Sequence, residues 1–305
     1  MLRFAARRLL LALAVAFTVS AIAFMLLRLS GDLATTLAGQ EARAEDVERI
    51  RQQFGLDRPL ILQYGDWLWR ALRGDFGRSL FYPESVGALI RDRLPNTALL
   101  ASLGLLIALA FSIPLGMAAA FWRNSWIDRM ALMLAVLGQA MPNFWFALLL
   151  VFFFGMTLGW LPISGTDGFA NFIMPAMALG WYATPVLMRL TRAGMVDVLA
   201  ADYVRTAHAK GLPLRVVLIK HALRNAVVPV VALAAVQFGN MLSGSVVIET
   251  VFALQGIGYL AWESISRRDF PVVQGILLVV ALFYVVLTLL TDLLNAWLDP
   301  RIRSR

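Results

Sequence analysis

The chain has no cysteine and only 2 histidines in 305 residues. Disulfide frameworks and thiolate metal sites are therefore excluded. Charge is scarce as well. Asp, Glu, Lys and Arg make up 15% of the residues, against about 25% in an ordinary soluble domain. Apolar residues reach 60%, where roughly 45–50% is usual. That excess is too large for one water-facing core. A net charge of +8 could suggest a nucleic-acid partner, but in a membrane chain basic residues serve to orient the spans. Lipid, not nucleic acid, is the expected surrounding.

Long uncharged runs show where the apolar residues go. About 20 apolar residues carry a helix across the hydrocarbon core. Leu9–Leu27 and Thr97–Trp122 are two such runs. Met130–Thr166 is also uncharged but too long for one crossing. Gly155, Gly159 and Pro162 mark its exit, which predicts a third helix over Met130–Leu158. Gly168–Met188, Asn225–Ile248 and Phe270–Thr291 supply three more. The first run starts with Arg3, Arg7 and Arg8, and Ala21-Ile22-Ala23 resembles a cleavage site. Its apolar stretch continues past that tripeptide, so it is read as a retained anchor.

Lysine and arginine set the orientation. With the N-terminus inside, inside segments hold 15 basic and 5 acidic residues, and outside segments hold 12 and 14. The net charge is then +10 inside and −2 outside. The reading is an all-α polytopic membrane protein with six transmembrane helices and cytoplasmic N- and C-termini. Outside, Ala44–Phe54 and Leu60–Leu72 have amphipathic helical spacing. Trp67 and Trp69 suit a membrane interface, and packing against the spans explains them equally well.

The inside loop 189–224 is the most informative segment. Asp202 is a candidate N-cap, Tyr203–Lys210 makes about two turns, and Gly211 is the natural residue past the helix end. Leu212-Pro213 opens a second helix that runs into the fifth span. Composition alone fits either a docking helix or a merely basic loop.

Polar residues inside spans are costly unless they face partners or water. Gln237, Asn240 and Gly244 form a stripe on the fifth helix, with Ser243 beside it. Gln139 and Asn143 lie four apart near Pro142. They either line a transport path or join helices. No charge is placed mid-span, which disfavours a secondary transporter driven by protons or sodium, and no convergent acid, base or metal set suggests a membrane-embedded enzyme.

Asp202-Tyr203-Val204-Arg205-Thr206-Ala207-His208-Ala209-Lys210-Gly211-Leu212, followed by His221-Ala222-Leu223-Arg224-Asn225-Ala226 and Pro229, resembles one family. It is similar to the dipeptide, oligopeptide and nickel branch of bacterial ATP-binding-cassette importer permeases. The general permease motif there runs Glu-Ala-Ala, three residues, Gly, nine residues, Ile, one residue, Leu-Pro. Arg205-Thr206-Ala207 stands for the first three, Gly211 for the glycine and Leu223 for the leucine, while His221 and Arg224 depart from it. Gly74–Leu80, Arg93–Thr97, Met141–Trp145, Arg268–Gly275 and Asp299–Arg303 extend the resemblance over nearly the whole chain. Phe252–Gly258 departs from the branch, with Gln255 where proline is usual.

The resemblance implies a type I importer fold in two parts. Residues 1–94 would be an anchor helix with an extracytoplasmic amphipathic segment, and residues 95–299 a five-helix transport domain with coupling loop 189–224. It implies a non-catalytic subunit of the bacterial inner membrane, and the chain has no Gly-x4-Gly-Lys-Ser/Thr phosphate loop. ATP and Mg would bind two cytoplasmic ATPase partners, with no cofactor on this chain. A second homologous permease and an extracytoplasmic solute-binding protein would complete the system. Asp202, Tyr203, Arg205, Thr206, Ala207, Lys210, Gly211 and Leu212 would couple to the ATPase. Gln139, Asn143, Gln237, Asn240 and Ser243 would line the path. The implied cargo is a dipeptide or oligopeptide, with nickel or a nickel chelate as the alternative.

Overall fold

The computed structural model describes residues 2–29, 33–39, 42–53 and 55–298. Phe54 and the Asp299–Arg303 motif lie outside them. The protein is all-helical, and among the described residues the extended pairing is one isolated antiparallel bridge, Arg78 with Ser85. The helices are α1 (Leu2–Leu29), α2 (Leu33–Ala38), α3 (Ala44–Gln53), α4 (Leu60–Leu72), α5 (Val86–Phe121), α6 (Trp126–Ala140) and α7 (Asn143–Leu150). After these come α8 (Ala170–Leu199), α9 (Asp202–Ala209), α10 (Leu214–Val216), α11 (Arg224–Val251), α12 (Ile257–Ser266) and α13 (Phe270–Leu298). α7 continues into a π-wound turn, Val151–Thr157, and a second, Val217–Leu223, joins α10 to α11.

Four described helical stretches are long and apolar enough to cross a membrane: Arg7–Met25, Val86–Phe121, Leu214–Val251 and Phe270–Thr291. The expected third helix, Met130–Leu158, is not one rod. It is α6 and α7, bent by 102° at a break. The cause is local. A residue before proline is pushed out of the helical region, and proline offers no N–H to the ladder. Met141 takes φ −85°, ψ 124° and Pro142 φ −60°, ψ 138°, so two extended residues separate the helices. Counted as one crossing, the pair brings the total to five. α8 is 30 residues long but carries Arg189, Arg192 and Asp197 on its second half, and it falls short on apolarity.

The chain forms two compact units, Met1–Pro95 with Gln255–Leu289 and Asn96–Leu254 with Leu290–Arg305. In the first, Val86, Ile90, Ile257, Leu260, Val272 and Ile276 make one apolar core. Trp67 and Ala71 of α4 pack on Phe24 and Leu278. The amphipathic face of α4 is thus spent on helix packing, while Trp69 is exposed with Arg73 over its ring at 4.5 Å. Tyr82 donates to Glu263, and Ser79 to Asp269. Burial and the Glu263 carboxylate push the Tyr82 phenol up to about 12.

The second unit is built on α8, which packs against α6, α7 and α11. Its core includes Leu100, Ala108, Met174, Leu179, Leu187, Val230, Met241 and Ile248. With lipid outside, burial of oily surface gives little net drive between helices, so close contact through small residues matters. A Cβ on Gly180 would sit 2.6 Å from the Gly104 carbonyl oxygen, and one on Gly116 would sit 2.7 Å from that of Met188. α5 and α8 therefore touch backbone to backbone at both levels.

Candidate functional site

The α6–α7 break opens onto a cavity of about 500 Å³ in the second unit. Its wall includes Gln139, Asn143, Tyr182, Gln237, Asn240 and Gly244. Four of the five residues expected along a path thus share one space. Ser243 is the exception: it is exposed, is absent from the wall, and donates weakly to the Gly239 carbonyl at 3.4 Å. Gln139 lies in the last turn of α6 and Asn143 opens α7, on either side of the extended pair Met141-Pro142.

The wall offers hydrogen bonds and no side-chain charge. Asn240 Nδ2 donates to Gln237 Oε1 at 3.0 Å. Asn143 Oδ1 is buried with no partner. A carboxamide carries both a donor and an acceptor, so such a wall suits solutes rich in amides. Gln139 Oε1 accepts from Arg189 Nη1 at 2.8 Å.

The second feature is α9. Asp202 is not its cap. Ala201 holds the extended cap conformation, and no side chain closes the helix start. Asp202 is the first helical residue, where its charge still favours the positive helix end, and it lies 3.6 Å from Arg205. The other end matches its sequence signature. Gly211 has φ +72°, its N–H bonds the His208 carbonyl at 2.9 Å, and the Leu212 N–H bonds that of Ala207 at 3.4 Å. That is a Schellman stop, which requires a left-handed residue.

α9 has two faces. Val204 and Ala207 are buried against Val217, Leu199 and Leu212. Asp202, Tyr203, Arg205, Thr206 and Lys210 are exposed or nearly so. Asn225 Nδ2 donates to the Tyr203 hydroxyl at 2.8 Å, tying α9 to the start of α11. The helix is therefore fixed to its own chain from behind and presents a polar front with two basic residues, Arg205 and Lys210, and one acidic residue, Asp202.

Two buried carboxylates were hidden in the sequence. Asp128, near the start of α6, takes two hydrogen bonds from Arg192 of α8 and one from the Asn124 N–H at 2.9 Å. Glu249 follows the apolar run Asn225–Ile248, but α11 extends to Val251 and the side chain is fully buried. Thr97 and Ser245 each donate to Glu249 Oε1 at 2.8 Å. Neither pairing is local in a way that periodicity reveals, except that Ser245 and Glu249 are four apart.

Residues 112–304 match the family described as "Binding-protein-dependent transport system inner membrane component", and residues 1–101 match its N-terminal companion. The chain belongs to this permease family. It is 41% identical over its full length to the glutathione transport system permease protein GsiC of Escherichia coli K12, and 40% identical to that of Salmonella typhimurium, with both relatives covered completely. A solved structure titled "Crystal structure of an amino acid ABC transporter with histidines" shares the fold, with a TM-score of 0.53 over 68% of this chain and 93% of that one at 16% identity. This permease is accordingly a transport subunit of an importer of the ATP-binding-cassette class, and a multi-pass protein of the bacterial inner membrane. The helix break, the amide wall and the α9 stop are features of that permease fold as this chain builds it.

Proposed function

We propose that this permease forms half of the path of an ATP-driven importer of short peptides. The observation that carries the reading is the convergence of four carboxamides on one cavity at a helix break. Amide groups on facing helices can hold a peptide bond from either side without fixing its side chains. The full-length similarity to permeases named for glutathione transport supports a peptide-like cargo over a nickel chelate.

In this reading the chain crosses the membrane six times with both ends in the cytoplasm. α8 supplies the crossing that composition alone does not award it, because its charged half, from Arg189 onward, lies at the cytoplasmic face. The 189–224 loop then lies inside, and α9 is the coupling helix. Its polar front, Asp202, Tyr203, Arg205, Thr206 and Lys210, docks on one of two ATPase partners, which hold ATP and Mg. A second permease closes the other side of the path, and a solute-binding protein delivers cargo from outside.

The test is uptake of a labelled dipeptide and of labelled nickel by cells with and without this gene, together with purification of the chain with its neighbours. Peptide uptake that depends on the chain, with a co-purifying ATPase, is expected. Chain-dependent nickel uptake without peptide uptake would replace peptide by nickel as cargo. Absence of any ATPase, with uptake surviving Gly211→Trp, would remove the coupling role.

A further inference from the structure

Two arginines one turn apart on α8 have opposite fates. Arg192 is neutralised by Asp128 through two charge-assisted hydrogen bonds. Arg189 is exposed, and its hydrogen bond goes to a neutral acceptor, Gln139 Oε1, at 2.8 Å. No carboxylate among the described residues pairs with Arg189. Gln139 is itself part of the cavity wall, whose other members carry no charge. A guanidinium has five N–H donors in a planar fork that matches a carboxylate. Held by one of those donors to the wall, Arg189 keeps the rest for another partner.

We propose that Arg189, positioned by Gln139, is a carboxylate-recognition point of the transport cavity, so that this permease favours solutes with a free carboxylate and net negative charge and discriminates against cationic ones. The proposal rests on the cavity being the path described above. It goes further by assigning the solute's charge and the residue that reads it. The amide wall accommodates the uncharged body of the solute, and the guanidinium of Arg189, hydrogen-bonded to that wall, makes the local field positive. A lipid phosphate offers the same oxygen chemistry and is the competing source of an anion for this side chain.

The absence of native cysteine permits a direct test that does not depend on the cargo. Asn240→Cys places one thiol on the cavity wall. In the assembled transporter at low ionic strength, its reaction rates with an anionic and a cationic methanethiosulfonate reagent are compared, with Arg189 intact and with Arg189→Gln. Removing a unit positive charge slows the anionic reagent and speeds the cationic one, roughly twofold each if the charge acts across about 8 Å of water, so the anionic-to-cationic ratio should fall several-fold in the variant. Arg189→Lys should retain most of the ratio. An unchanged ratio in Arg189→Gln overturns the proposal. So does a preference that appears with Arg189 intact only in vesicles of neutral phosphatidylcholine and vanishes when anionic lipid is added, since Arg189 is then occupied by lipid phosphate.

A second arm measures ATP-dependent uptake of Ala-Glu, Ala-Gln and Ala-Lys. Ala-Glu should lose the most in Arg189→Gln, whereas an equal loss for all three overturns the proposal. Failure of the wild-type transporter to import any of the three counts against the peptide reading alone, and the thiol rates still decide the arginine's role.

Discussion

Arg192 grips Asp128 with two parallel hydrogen bonds, from Nε at 2.6 Å and from Nη2 at 2.7 Å, across 64 residues of sequence. The Asp128 side chain is only 4% exposed. Removing one partner of a buried pair strands a charge, which costs about 3–5 kcal/mol, whereas replacing both by neutral groups costs far less. Arg192→Met should therefore lower the melting temperature of the detergent-solubilised protein clearly. The double variant Asp128→Asn, Arg192→Met should recover much of that loss. Equal melting of the single and double variants would show that the pair is not coupled.

A similar argument applies to Glu249. Two hydroxyls, from Thr97 and Ser245, converge on its Oε1 in a fully buried position. Glu249→Gln keeps a carbonyl acceptor for them. Glu249→Leu removes that acceptor, although Ser245 still reaches the Leu242 carbonyl at 3.2 Å, and each lost hydrogen bond costs about 1 kcal/mol. The expected order of thermal stability is wild type, then Gln, then Leu. Chemical melting in the same detergent would check it, and a Leu variant as stable as the Gln variant would contradict the hydrogen-bonding role.

These two sites mark the limit of what the sequence disclosed. Four of the six expected spans are legible in the sequence because about 20 apolar residues in a row have few other uses, whereas the third is bent and α8 falls short on apolarity. The α9 stop was legible because a Schellman turn is local, and Gly211 sits where the left-handed residue must be. In the sequence Asp128 and Glu249 stand out only as charges near the ends of apolar runs. Their burial depends on Arg192 and Thr97, which are distant in sequence and meet them only after helices pack. The α6–α7 break lies between these cases. Proline at position 142 disfavours a straight helix there, but nothing local dictates a bend of 102°.

At Gly211 nothing lies within 4 Å of a built Cβ, so backbone conformation alone resists substitution. A left-handed conformation costs a residue other than glycine roughly 1–2 kcal/mol, and asparagine tolerates it best. Gly211→Val should unwind the Schellman stop and reduce uptake, while Gly211→Asn should stay close to wild type. Uptake and ATPase rates of the assembled transporter would be measured together. Equal loss in both variants would indicate that the site resists any side chain and not the conformation.

Tyr82 gives a pH signature in the other unit. Its phenol rises to about 12 in the folded chain, first through burial and then through Glu263. An unfolded tyrosine titrates near pH 10. The folded state therefore holds the proton more tightly. Its stabilising effect is complete below about pH 10 and is lost as pH climbs toward 12. Wild-type stability should fall across that window more steeply than that of Tyr82→Phe, with melting curves between pH 8 and pH 12 as the measurement. Parallel curves would show that Tyr82 does not contribute.

Two glycines of the second unit separate packing from passage. A Cβ at Gly180 would meet the Gly104 carbonyl oxygen at 2.6 Å, so α5 and α8 would have to part. Overpacking of this kind costs about 1–3 kcal/mol, and Gly180→Ala should lower the melting temperature. Gly244 is the opposite case, because it lines the amide cavity and open space surrounds its missing side chain. Gly244→Leu should fold with unchanged or slightly raised stability, since glycine is a poor helix former, yet it should place four carbon atoms in the cavity. If that cavity carries the solute, uptake falls while melting does not. Normal uptake in a stably folded Gly244→Leu variant would move the path elsewhere, and with it the roles of Gln139, Asn143, Gln237 and Asn240.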